Sequence, residues 1–132
     1  MPVRVIHVGV GGRGVWPVHA FTQREDFQSV ALVDIRDEAL AAAREKTGHS
    51  PDRCFYTLEK ALDAVEADVV CVITPPHLHS SQCMTAVQAG KHVFVEKPFT
   101  LSLSEAQEII AAADDRDVKV CVAQNDRHGA IH

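Results

Sequence analysis

Val3-Arg4-Val5-Ile6-His7-Val8-Gly9-Val10-Gly11-Gly12-Arg13-Gly14 begins the chain almost at its first residue, and its two halves ask for different backbones. Val3 to Val8 is short and rich in β-branched side chains, which reads as a strand. Gly9 to Gly14 is a G-x-G-x-x-G that ends that strand. Its glycines permit a tight turn, close approach of the backbone to a pyrophosphate, and close packing of a helix on the strand. The loop's N–H groups then face an anion, with a helix dipole behind them. Pro17 cannot sit in a helix interior without losing a hydrogen bond, so the first helix is expected to start at about Val15 or later, or to be kinked.

Working outward, the same alternation runs to the end of the chain. Ser29 to Val33, Cys54 to Tyr56, Val69 to Ile73, His92 to Val95 and Val118 to Ala123 are five further candidate strands. Several are apolar almost throughout, which suits strands covered on both faces. Between them the period is helical. Asp37 to Thr47 is alanine-rich and stops at Gly48, a natural cap. Leu58, Ala61, Leu62 and Val65 share one face, as do Leu103, Ala106, Ile109, Ile110 and Ala113. Ser102 and Glu105 supply a capping box to the latter, and Ser80 to Ala89 stops at Gly90. Strand and helix alternating about six times predicts an α/β fold, a doubly wound parallel sheet of Rossmann type forming one domain over residues 1–132. Ligands of such sheets lie outside the carboxyl ends of the strands.

Asp34 stands at one of those ends, twenty residues past Gly14. An acid there accepts the ribose hydroxyls of an adenosine and repels a 2′-phosphate, so NAD is the expected cofactor. Arg36, two residues on, could pair with that phosphate, which leaves NADP open. The fourth strand runs into Thr74-Pro75-Pro76-His77-Leu78-His79, read as a rigid loop before a helix. His77 and His79 lack a third ligand at a sensible spacing, so they read as solvated loop histidines and no metal site is expected. The fifth strand ends in Glu96-Lys97-Pro98. Pro98 restricts Lys97 to extended values, and the tripeptide alone leaves an exposed turn lysine and a site lysine as open readings.

Composition excludes other classes. The 132 residues are 46% hydrophobic and 23% charged, as in globular domains, with a net charge of −5. There is no excess of cations for a nucleic acid backbone or an anionic bilayer. Apolar runs of about five residues are far short of a membrane span. With no signal-like start, the expected location is the cytoplasm. Cys54, Cys71, Cys83 and Cys121 form no Cys-x-x-Cys pair, and three of them fall in candidate strands. They read as buried free thiols of a reducing compartment.

Taken together, G-V-G-G-R-G, the V-D after the second strand, T-P-P-H-L-H and A-G-K-H-V-F-V-E-K-P resemble the Gfo/Idh/MocA family, that of glucose–fructose oxidoreductase and inositol dehydrogenase. The resemblance covers essentially the whole chain. It implies an NAD(P)-dependent dehydrogenase acting on a sugar, polyol or related cyclic alcohol. It assigns Lys97 as the catalytic lysine near the reacting hydroxyl and the nicotinamide ribose. Glu96 and His79 would line the nicotinamide side, and Thr74 and Pro75 would pass beneath it. Gly9, Gly11, Gly12, Arg13 and Gly14 would hold the pyrophosphate, with Asp34 and Arg36 at the adenosine. Asn125 would complete the cofactor site, and Arg127 would face substrate. Lys97-Pro98 is expected to be cis, with Lys97 beside the Thr74-Pro75 loop.

Members of that family continue into a second domain that supplies most of the substrate pocket, an acid–base pair and the oligomer interface. Nothing before His132 matches it. The chain is therefore expected to be the cofactor-binding piece of a longer enzyme, inactive alone, with homo-oligomerisation left to the other domain. The rival reading is a non-catalytic dinucleotide-binding or scaffold module.

Overall fold

A computed structural model describes residues 1–123. Six parallel strands form one sheet: β1 (Val3–Val8), β2 (Phe27–Val33), β3 (Cys54–Phe55), β4 (Val69–Val72), β5 (His92–Glu96) and β6 (Val120–Ala123). Their spatial order is β3-β2-β1-β4-β5-β6, so the direction of winding reverses between β1 and β4. The doubly wound α/β sheet is as expected.

Two helices, α1 (Val15–Thr22) and α2 (Asp37–Thr47), pack together on one face. The other face carries α3 (Leu58–Ala64), α4 (Pro76–Gln88) and α5 (Leu103–Arg116). Val5 to Val8 of β1 are all buried, as a strand with both faces covered requires. The main core sets Ile6, Val8, Val70, Val72 and Val95 against Cys83, Val87 and Ile109 of the helices. Each such buried aliphatic side chain contributes roughly 1.5–3 kcal/mol. The α1/α2 side is smaller, built on Val10, Val18, Leu32 and Leu40.

On that side Phe21 of α1 also packs against Val5, Cys71 and Ile73. Beside it Ile73, Phe94 and Ala123, with Trp16 and Pro17 of α1, line an open hollow of about 960 Å³. At the opposite edge of the sheet, Arg4 and Asp68 tie the starts of β1 and β4. The guanidinium donates to both carboxylate oxygens at 3.0 and 3.1 Å, and the Arg4 backbone N–H adds a third bond at 2.8 Å. These bonds hold the Asp68 carboxyl down to about 2.

Local chemistry accounts for the element ends. α1 starts at Val15, so Pro17 falls in the first turn, where N–H groups have no helical partner to lose. α2 closes at Gly48, φ 76°, whose N–H reaches the Arg44 carbonyl at 2.8 Å. Ser102 caps α5 by accepting from the Glu105 N–H at 3.2 Å.

Three boundaries differ from expectation by two residues or more. α4 begins at Pro76 rather than Ser80, because a proline at the first helical position gives up only an N–H that would be orphaned anyway. His77 and His79 are therefore helical, not loop residues. β6 starts at Val120 rather than Val118: Asp117 turns left-handed, φ 55°, and the Val118 N–H returns to the Ala113 carbonyl at 3.0 Å. β2 extends back to Phe27, where it pairs with Val3 through a register shift between Val5 and Ile6. Of the thiols, Cys71 and Cys83 are buried and pushed up to about 12 by burial. Cys54 is half-buried, and Cys121 is exposed rather than buried.

Candidate dinucleotide site

A groove of about 780 Å³ runs along the carboxyl ends of β2, β1, β4 and β5, across the point where the winding reverses. At the usual strand spacing the line from β2 to β5 is roughly 14 Å, which suits an elongated ligand. At its centre is the glycine loop. Gly9 turns left-handed, φ 83°, and a side chain there would run into the Ile73 carbonyl and Thr74. Gly14 is buried against the Gly9 carbonyl, so the start of α1 sits directly on the end of β1. Two positions thus reject any Cβ because main chain meets main chain, and the loop is kept slim where an anion would approach.

Asp34 closes one end of the groove. Its Oδ2 accepts the Val10 N–H at 3.0 Å and its Oδ1 accepts the Arg36 N–H at 2.9 Å. These bonds lock the carboxylate beside the glycine loop and leave each oxygen a further acceptor direction. The Arg36 guanidinium lies over Gly11, with Nε 3.9 Å from Asp34. Glu96, Lys97 and Pro98 close the other end, beside Thr74 and Pro75. The Lys97-Pro98 bond is cis, and Lys97 lies at the carboxyl edge in the groove that holds Gly9 and Gly11, as expected. The Lys97 N–H donates to the Glu96 carboxylate at 3.0 Å.

His79 is placed differently from the expectation. It is neither solvated nor in the groove wall. It is fully buried beneath the far end, with Nδ1 2.7 Å from the Pro98 carbonyl oxygen and Nε2 2.7 Å from that of Thr74. The helical start at Pro76 turns His79 inward and leaves His77 exposed in the lining. Asn125 and Arg127 lie outside the described residues.

Sequence reasoning passed over Ile35, Tyr56 and Gln82, which also line the groove. Ile35 is 84% exposed. Tyr56 donates its hydroxyl to Asp37 at 2.6 Å, which raises its pKa. Gln82 meets the Thr74 hydroxyl at 2.5 Å. An apolar residue directly after the acid and a lone tyrosine after the third strand were the available signals. Among the described residues no group of three His, Cys, Asp or Glu is placed to hold a metal ion.

The family model for the GFO_IDH_MocA oxidoreductase family, NAD-binding Rossmann fold, matches residues 3–124. UDP-N-acetylglucosamine 3-dehydrogenase of Acidithiobacillus ferrooxidans is 31% identical over 128 residues, which is 96% of this chain and 40% of that protein. The WlbA dehydrogenase of Bordetella pertussis, solved with NADH and UDP-GlcNAcA, superposes with a TM-score of 0.84 at 32% identity, covering 96% of this chain and 36% of that one. Scyllo-inositol dehydrogenase of Lactobacillus casei, 21% identical with a TM-score of 0.90 over 98% of this chain and 38% of that one, shares the fold. The chain thus spans a little under two-fifths of the length of these three relatives on average. A glycine cradle closed to side chains, an acid locked beside it and a lysine at the far end, on a sheet matched over nearly its whole length, make this chain a member of the Gfo/Idh/MocA oxidoreductase family.

Proposed function

We propose that residues 1–132 are the NAD(P)-binding Rossmann domain of a dehydrogenase that transfers a hydride between nicotinamide and a sugar, polyol or related cyclic alcohol. The observation that carries this reading is the groove itself: one channel with the Gly9–Gly14 cradle at its centre, Asp34 at one end and Lys97 at the other. The residues fit the group. Gly9 and Gly14 exclude side chains where a pyrophosphate must approach, and Asp34 keeps acceptor directions for ribose hydroxyls. The sugar dehydrogenases among the relatives support the substrate class.

In this reading Ile35 and Tyr56 offer faces to the adenine, and Asp34 holds its ribose. Gly11, Gly12 and Arg13 receive the pyrophosphate through backbone N–H groups and a guanidinium. The nicotinamide, when bound, supplies the hydride chemistry. Lys97 holds the substrate oxygen and steadies the negative charge that grows there, while Glu96 orients Lys97 through its backbone N–H. A side chain of the second domain takes the proton, and the same domain carries most of the sugar contacts and any self-association.

Cofactor choice tests this directly. NADH is expected to bind this chain more tightly than NADPH, because the Asp34 carboxylate repels a 2′-phosphate. Asp34→Ala removes that repulsion along with a charged hydrogen bond of about 1.5–3 kcal/mol. NADH should weaken by roughly tenfold or more, NADPH should weaken less, and the gap should narrow with Arg36 still present. Calorimetric titration of both cofactors measures it, and equal or reversed affinities in the wild type would refute the assignment of Asp34. The chain alone should show no sugar or polyol turnover even while NAD binds, since its proton acceptor lies elsewhere. Turnover that scales with the concentration of the purified chain would overturn that division of labour.

A further inference from the structure

His79 makes two contacts that a residue merely filling the core would not need. Its ring is fully buried in the first turns of α4, yet each nitrogen lies 2.7 Å from a main-chain carbonyl oxygen, Thr74 on one side and Pro98 on the other. Those carbonyls belong to the two segments that form the far end of the groove: the exit of β4 and the turn after Lys97. One buried side chain thus meets a carbonyl oxygen with each ring nitrogen and spans the two segments.

We propose that His79 is a positioning residue, a buried clamp that holds the Lys97-Pro98 turn against the Thr74-Pro75 loop and so sets the nicotinamide end of the site. This rests on the reading that the groove takes a dinucleotide. No atom of His79 reaches the groove surface. Its effect is transmitted through the Thr74 carbonyl and through the main chain that carries Lys97. The adenosine end, held by Asp34, Val10 and Arg36 just past the ends of β1 and β2, shares none of these bonds.

That separation supplies the test. In His79→Asn, NADH is expected to bind about tenfold more weakly, while ADP, which fills only the Asp34 end and the glycine loop, binds as before. A variant that weakens both ligands alike, or neither, overturns the positioning role, because general loosening of the fold would not single out the nicotinamide end. Failure of the wild type to bind either ligand would instead defeat the dinucleotide reading, and the clamp with it.

Discussion

Gly14→Ala is expected to destabilise the chain by about 3 kcal/mol and to weaken NADH binding at least tenfold. The backbone at Gly14, φ −71°, accepts any residue, so the effect does not come from conformational preference. It comes from space: the added methyl would fall on the Gly9 carbonyl. Overpacking against side chains commonly costs about 1–3 kcal/mol because rotamers give way. Here main chain meets main chain, and relief requires lifting the start of α1 off β1. That movement also opens the cradle in which the pyrophosphate would lie, so stability and affinity fall together. Thermal unfolding should shift on the order of 10 °C, and NADH titration below the transition should show the affinity loss. A variant with wild-type melting and wild-type affinity would show that close contact between these two backbones is not needed.

The second large effect is a loss of stability in mild acid that traces to one residue. His7 lies in the middle of β1, 1% exposed, with neither ring nitrogen hydrogen-bonded among the described residues. Phe21 packs on it at 5.7 Å between ring centroids. Burial, with a smaller contribution from His49, lowers its pKa from 6.5 to about 4. The unfolded chain therefore binds a proton that the folded chain refuses across that window, and stability rises with pH through it. Between pH 7 and pH 5 the wild type should lose roughly 2 kcal/mol. His49, lowered chiefly by burial and then by Arg53, acts in the same direction. Asp68, held near 2, contributes its own loss only as the pH falls below the ordinary aspartate range. His7→Leu keeps the volume and removes both orphaned nitrogens. It should flatten most of the slope and exceed the wild type by about 2 kcal/mol at pH 5. Urea denaturation at the two pH values decides it, and an unchanged slope in His7→Leu would acquit the residue.

His7 also shows where reading the chain stops. Its position in a strand is plain from the β-branched residues around it, and so is the strand's place in a parallel sheet. What no period reports is that Phe21 and the neighbouring strands seal the ring from water. The same division holds in the site. Gly9 to Gly14 and Asp34 were legible because they sit at strand ends, where the winding order forces them onto one edge, whereas Lys97 was singled out only by the family resemblance. His79 was not legible, because its role depended on whether Pro76 starts a helix or prolongs a loop. That choice rotates the imidazole from solvent to interior. Ile35 and Tyr56 escaped for another reason: they line one groove only because the ends of β2 and β3 lie side by side, and sequence spacing does not say so.

The chain's single tryptophan gives the hollow beside α1 an unplanned use. Trp16 stands 72% exposed at the start of α1, on the rim of the hollow lined by Phe94 and Ala123 rather than in the dinucleotide groove. With no second indole to dilute it, the protein's emission colour belongs to one surface. Light from this molecule reports whether that hollow is wet or dry, which makes the polypeptide its own optical label for whatever comes to rest there.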